Sequence, residues 1–378
     1  MKSTYSLALV AAVSFAFSAS VLAGPGKEVL IEDPKTFCDH YYDVLDLATL
    51  YEGEGGFFQE IALIGRYQGQ YHDTESDLGD DSDWENRRFR FGVAAEFLNN
   101  FEFEGQFNLK RDFDESGRLF EDVDTLFITW EPNDAFSLTV GKQKPGITRE
   151  YSTSSKRIKT IERSQLVNQT TPDKAGGVVL TLNDLAGFTI DIGGFAGATT
   201  DDWALPDFDA GGAVYARIGR DITEATEVRF DYLYNDGEAG NNAFANYENL
   251  FSLNTKSDWD RFHLVTDLIY GDALPSEDGD VWGLVLMPYY DLSDRLEAVF
   301  RYTFSSADDA DGLNVQSRYE RAAAGSLEGD EYHALYLGLN YYICGDKLKL
   351  MNGIEWSSLE GQDDNDYWSY MTGIRMYF

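Results

Sequence analysis

Long apolar runs are what this 378-residue chain lacks. Beyond its first residues no stretch approaches the roughly 20 consecutive apolar positions that a membrane helix needs, which excludes anchoring by helices. Proline is scarce, with 8 residues against 35 glycines, so little interrupts extended backbone while many positions allow tight turns. Histidine is rarer still, and only His40, His72, His263 and His333 occur. With no G-x-S-x-G, no H-E-x-x-H and no phosphate-cradling Gly-Lys loop, an outer-membrane protease or phospholipase reading has no nucleophile, base or metal set to build on. No enzyme activity, cofactor or metal site is therefore expected, and no regular calcium-loop spacing appears. Cation content is low as well: 30 Lys and Arg stand against 66 Asp and Glu, a net charge of -36 that argues against nucleic acid as a partner. Cysteine is limited to Cys38 and Cys344, enough for one disulfide in an exported chain.

What is present is alternation. In residues 101–110, Phe101, Phe103, Gly105, Phe107 and Leu109 interleave with Glu102, Glu104, Gln106, Asn108 and Lys110, a period of two that a helix would scramble. The same reading holds over 57–71, 88–97, 213–219, 227–234, 261–270, 295–304, 332–343 and 347–356. The closing segment puts Trp368, Tyr370, Thr372, Ile374, Met376 and Phe378 in one column, as the last strand and assembly signal of a bacterial outer-membrane barrel would. Lys2, the apolar residues 7–17 and the small-residue site Val21-Leu22-Ala23 read as an export signal, residues 1–23, removed on secretion. The expected fold is all-β: a transmembrane antiparallel β-barrel over residues 57–378, multi-pass in the outer membrane. Residues 24–56 would precede it as a periplasmic arm or plug, with Tyr41, Val44, Leu45 and Tyr51 lining one side of a short helix.

Connections alternate between short turns and long loops, the up-and-down signature of such barrels. Short ones fall at 98–100, 132–134, 183–184, 221–223, 291–294 and 344–346; long ones at 72–85, 111–122, 143–174, 198–210, 271–280, 306–331 and 359–366. The pattern yields an odd number of strands, which would leave the two chain ends on opposite sides of the membrane. A further strand at 243–253, followed by a turn at 254–257, makes sixteen. In this topology Cys38 and the turn headed by Cys344 lie on the same, periplasmic side, and first and last strands are neighbours. A disulfide tying arm to barrel base is therefore expected.

Charges divide by location. Acids crowd the outer loops, for example Asp73, Glu75, Asp77 and Asp80 or Asp308, Asp309 and Asp311. There they solvate the outer surface, with divalent cations bridging to lipopolysaccharide and membrane lipid. The polar strand faces instead carry cations toward the lumen, including Arg66, Arg88, Arg90, Lys110, Arg217 and Arg229. One loop departs from the acidic rule: Lys142, Lys144, Arg149, Lys156, Arg157, Lys159 and Arg163 face only Glu150 and Glu162. A long basic connection after the fifth strand suits a segment folded inward to narrow a pore, where Arg and Lys select anions. The candidate constriction residues are Arg149, Lys156, Arg157, Lys159 and Arg163. Neutralisation of acidic lumen neighbours is the competing role.

At this loop the sequence resembles the phosphate-selective porin O/P family. The residues that carry the resemblance are Arg87 to Val93 (RRFRFGV), Leu138 to Gly146 (LTVGKQKPG), Thr153-Ser154-Ser155-Lys156 and Ile161-Glu162-Arg163. Near the end, Gly338-Leu339-Asn340-Tyr341-Tyr342 and Lys347-Leu348-Lys349-Leu350 add to it. The resemblance implies a trimeric sixteen-stranded porin, its third outer loop narrowing the pore with Arg and Lys, Lys156 and Arg163 matching by position. Small solutes and ions would diffuse through, anions such as phosphate among them, and the barrel-assembly machinery would read the last strand. The chain departs from phosphate-specific members in its acidity and in lumenal glutamates such as Glu102 and Glu104. The alternative is a structural or adhesion barrel with a closed lumen; strand number discriminates, because sixteen strands leave an aqueous channel whereas about eight are filled by side chains.

Overall fold

Alternating residues put one face of each strand toward lipid, and in lipid every backbone group needs a partner within the sheet, which only closure supplies. The computed structural model describes residues 35–110, 119–197, 207–237, 244, 247–275 and 279–378. The export signal, arm residues 24–34, and parts of the outer loops at 111–118, 198–206, 238–243, 245–246 and 276–278 fall outside the described residues.

Sixteen antiparallel strands close into a barrel. They are β1 Phe58–Ser76, β2 Asp80–Phe97, β3 Phe101–Leu109, β4 Phe120–Asn133, β5 Phe136–Gln143, β6 Ala175–Leu185, β7 Phe188–Gly197 and β8 Asp207–Thr223. Then follow β9 Thr226–Asn235, β10 Tyr247–Trp259, β11 Phe262–Ala273, β12 Val281–Ser293, β13 Leu296–Ala307, β14 Glu331–Tyr342, β15 Leu348–Glu360 and β16 Asn365–Tyr377. Each pairs with its sequence neighbours, and β16 closes on β1 from Tyr367↔Ser76 to Tyr377↔Arg66. No helix among the described residues is long and apolar enough to cross a membrane.

Burial follows the alternation. Along β16, Tyr367, Ser369, Met371, Gly373 and Arg375 are buried inside, while Trp368 and Tyr370 are exposed outside. Aromatic rings form a girdle at each interface. At the periplasmic turns Phe57, Phe97, Phe101, Trp130 and Phe136 follow one another with centroids 5.4 to 6.4 Å apart. Toward the outer loops Tyr232, Phe251 and Tyr270 do the same.

Several expected boundaries move. The strand expected at 243–253 begins at Tyr247 and runs to Trp259, so 254–257 is strand and the turn is Asp260-Arg261. The turn expected at 183–184 lies at Ala186-Gly187. Residues 72–85, expected as a loop, are mostly strand, because β1 and β2 continue pairing to Glu75↔Asp80. Polar turn-like sequence there remains extended because the ladder satisfies its backbone.

At the base, helix α1 (Phe37–Asp46) is tied to the turn after β14. Cys38 and Cys344 form a disulfide with Cα atoms 5.4 Å apart. Tyr42 donates to the Cys344 carbonyl at 2.9 Å, and Tyr41 to that of Lys347 at 3.2 Å. An arm strand, Thr49–Glu52, then pairs with β1 at Ala62, Ile61 and Glu60. There β16 has ended, so the arm covers a backbone edge that would otherwise stand open.

Candidate functional site

Strand β5 has only 8 residues against 19 in β1, and the chain turns inward where it stops. Gly141 makes the exit feasible: its φ is +135°, and a Cβ there would lie 2.2 Å from the Leu126 carbonyl oxygen. Residues 144–174 then form an inward loop held to the barrel interior. Gly146 approaches β8 so closely that a Cβ would meet Arg217, whose guanidinium bonds the Gly146 carbonyl. Helix α2 (Arg149–Ser152) begins with Thr148 accepting from Tyr151 N. Asp267 on β11 accepts from the backbone N–H groups of Arg149 at 2.6 Å and Glu150 at 2.9 Å. Arg229 on β9 donates to the Thr148 carbonyl at 2.6 Å.

Two of the loop's three acids, Glu150 and Glu162, are consumed inside this contact. Glu150 takes Arg301 at 2.9 Å together with Ser164 Oγ at 2.6 Å, and Arg301 reaches Glu355 at 2.9 Å. Glu162 takes Arg87 at 2.5 Å and Gln70 at 2.8 Å. Arg375 on β16 donates to the Ile161 carbonyl and Lys349 on β15 to that of Ile158. Helix α3 (Gln165–Thr170) engages the loop after β13, where Gln165 and Gln169 each donate at 2.6 Å to the Asn314 and Gly312 carbonyls. The segment is thus a fixed strap.

Against the opposite wall, formed by β1 to β4, it leaves a polar cavity of about 760 Å³. Lys156 and Arg163 line it, as do the wall residues Arg66, Arg88 and Arg90. Arg163 donates to the Glu150 and Thr153 carbonyls at 3.1 and 2.9 Å, and Lys144 to that of Tyr151 at 2.5 Å. Arg66 donates to Ser155 Oγ, and Arg88 to Gln68 Oε1 at 2.7 Å. Lys156 stands over the Tyr377 ring, 5.0 Å from its centroid. Arg66, Arg88, Lys144, Lys156 and Arg163 therefore face the cavity with no carboxylate in ion-pair contact among the described residues. Arg90 differs, sharing Asp124 with Lys174 at 2.7 and 2.5 Å.

The other expected site residues do not line the cavity. Arg149 pairs with Glu227 at 2.9 Å and Lys159 with Glu297 at 2.5 Å, so both neutralise wall acids. Arg157 is exposed beside Tyr377. Arg217 and Arg229 face inward but lie under the strap, bound to Asp191 and Asp231. Lys110 follows the end of β3, its backbone N–H donating to the Leu119 carbonyl. The loop's charge count includes Lys142 and Lys144, which the candidate set omits, and it misses Lys174 and the acids Asp122, Asp124 and Asp173, all of which line the cavity. For Lys142, Lys144, Asp173 and Lys174, position at the two roots of the loop was the available signal; Asp122 and Asp124 lie on β4.

The model of the family described as phosphate-selective porin O and P matches residues 61–203. No curated protein matches the sequence. Among solved structures, the anion-selective porin from Comamonas acidovorans is 12% identical, with a TM-score of 0.61 over 84% of this chain and 99% of that one. Salmonella typhi OmpF, in a complex with daunomycin, is 14% identical, with a TM-score of 0.59 over 84% and 98%. The trimer form of Vibrio cholerae OmpT is 12% identical, with a TM-score of 0.54 over 84% and 99%. Together with the closed sixteen-stranded barrel, these findings make the chain an outer-membrane porin that forms a channel, similar over residues 61–203 to the phosphate-selective porin O and P family.

Proposed function

We propose that this channel favours small anions, phosphate-like oxyanions among them, and acts by diffusion without catalysis. The observation that carries this is the set of five cavity cations, Arg66, Arg88, Lys144, Lys156 and Arg163, held by neutral oxygens or an aromatic ring instead of carboxylates. A cation bound to neutral oxygens is not cancelled by a counter-charge, and low-dielectric walls strengthen its field in the water between them. The acids of the outer loops act from a distance at which salt screens them, about 8 Å at physiological strength. The measurement is the reversal potential of single channels across a potassium chloride gradient. Anion preference in the wild type, reduced or reversed in Lys156→Glu/Arg163→Glu, supports the reading, and a cation-preferring wild type refutes it.

Three copies would assemble in the membrane, as a neighbouring fold does in its trimer form. Light scattering of the detergent-solubilised protein tests that. The acidic outer loops would meet lipopolysaccharide through divalent cations, the last strand would engage the barrel-assembly machinery, and residues 1–23 would be removed as an export signal. N-terminal sequencing of protein from outer membranes tests the cleavage.

A further inference from the structure

The wall that bounds the cavity carries a second set of unpaired charges, of the opposite sign. Arg66 on β1 is directly opposite Arg90 on β2. Six residues nearer the periplasm on each of these strands, Glu60 is directly opposite Glu96, and Glu96 is opposite Glu102 on β3. Glu131 on β4 is a further charged neighbour of Glu102. The acidic row shares the lumen face with the arginines, because an even residue spacing on a strand preserves the face. Its level is that of the periplasmic aromatic girdle, since Phe97 and Phe101, the residues next to Glu96 and Glu102, stack outside with centroids 5.4 Å apart.

Like charges directly opposite one another across strands are destabilising. None of Glu60, Glu96, Glu102 or Glu131 has an ion pair among the described residues, although the strap-covered wall pairs its charges repeatedly. The pattern therefore calls for an effect on what lies in the lumen.

We propose that the pore is bipolar, a cationic zone at the strap above an anionic zone at the periplasmic mouth, and that it rectifies ion current. The proposal rests on the anion reading for its upper zone and adds the lower one. About 20 Å of strand separates the two rows at six residues' rise, so at physiological salt each zone sets its own counter-ion population. When the periplasmic side is positive, anions enter through the cationic zone and cations through the anionic zone. Both populations then move toward the boundary, where carriers accumulate and conductance rises. The reverse voltage draws both away and depletes the boundary. Glu104, three strands into the same wall and lining the cavity, stands near that boundary.

The test is single-channel current against voltage at low and high salt, for the wild type and for Glu60→Gln/Glu96→Gln/Glu102→Gln. At about 0.01 M salt, where the screening length is near 30 Å, the wild-type current ratio at opposite voltages should be about twofold or more, falling toward one at 1 M. The larger current should flow with the periplasmic side positive. Orientation is read from a biotin on Asp309→Cys that captures streptavidin from one chamber, and heat-modifiable migration checks variant folding. The acid-row variant should lose the rectification and gain anion preference. An ohmic wild type at low salt overturns the proposal, as does rectification undiminished in a folded variant. The reversal potential separates the two readings: an anion-selective ohmic pore defeats only the bipolar arrangement, whereas a cation-selective pore defeats the anion reading itself.

Discussion

Arg217, Arg229 and Arg301, on β8, β9 and β13, each reach a carboxylate and the backbone of the strap, whereas Arg66 and Arg88, on β1 and β2, reach only neutral oxygens beside the cavity. Both groups sit on the polar face of amphipathic strands. What separates them is the partner each strand offers: β7, β9 and the strap supply carboxylates to the first group, whereas Ser155 and Gln68 supply neutral oxygens to the second. A buried charge without a partner costs several kcal/mol, so Arg217, Arg229 and Arg301 take carboxylates, while buried Arg375 is held by the Gln70 amide oxygen and the Ile161 carbonyl. A cavity-lining charge held by neutral oxygens is not cancelled by a counter-charge, and in a narrow lumen its field is what a passing ion meets. Pairing therefore holds the strap in place, and its absence marks the conducting side.

The largest effect is expected where pairing is removed. Arg301→Ala would leave Glu150 and Glu355 buried without their shared cation, a loss of about 3 to 5 kcal/mol for breaking such a pair. The barrel should persist while the strap loosens, and single-channel recordings should show higher, noisier conductance with faster protease cleavage within residues 144–174. Unchanged conductance and protection would mean that the strap does not depend on this wall.

A smaller, sharper effect distinguishes the cations themselves. A unit charge about 10 Å from the ion path is worth about 1.7 kcal/mol at an effective dielectric of 20 before screening, on the order of a tenfold bias. Arg163→Gln and Lys156→Gln should each lower anion preference severalfold, whereas Lys159→Gln/Glu297→Gln, which removes a pair whose charges already cancel, should change it little. Equal effects from all three, measured as reversal potentials, would erase the distinction between paired and unpaired cations.

The tie at the barrel base should matter less to conduction. Opening the Cys38 to Cys344 disulfide, or Cys38→Ser/Cys344→Ser, should free α1 to protease while leaving conductance and heat-modifiable migration unchanged. The barrel closes through the β16 to β1 ladder, which these residues do not join.

Strand faces were legible in the sequence because period-two alternation is a local property. Boundaries were less so: β10 carries Asn254, Thr255, Lys256 and Ser257, which read as a turn but remain in the ladder. The inward loop was legible as a concentration of cations, yet which of them are free was not. Arg149 meets Glu227 on β9 and Lys159 meets Glu297 on β13, partners that segment-by-segment charge does not connect. The same limit hid the acidic row, since Glu60, Glu96 and Glu102 belong to three strands and become adjacent only through register.

The weakest expected effect concerns pH at the outer mouth. In helix α4 (Tyr319–Ala324), part of the loop after β13, Glu320 is buried, and burial followed by the nearby Glu355 carboxylate pushes its carboxyl up to about 7. Tyr332 and Ser357 donate to it, Tyr332 at 2.7 Å, and it accepts from the Gln316 N–H at 2.8 Å; Arg301 and Tyr319 face the same pocket through Glu355. A carboxyl whose pKa is raised in the packed state favours its protonated form there, so packing is strongest below the ordinary glutamate range and weakens as pH rises through about 7. Hydrogen exchange within residues 308–330 should therefore quicken between about pH 5 and pH 7 beyond the intrinsic chemical increase, and level off above. Glu320→Gln, which keeps the shape and cannot ionise, should flatten that extra dependence. If the variant and the wild type quicken alike, ionisation of Glu320 does not control the loop.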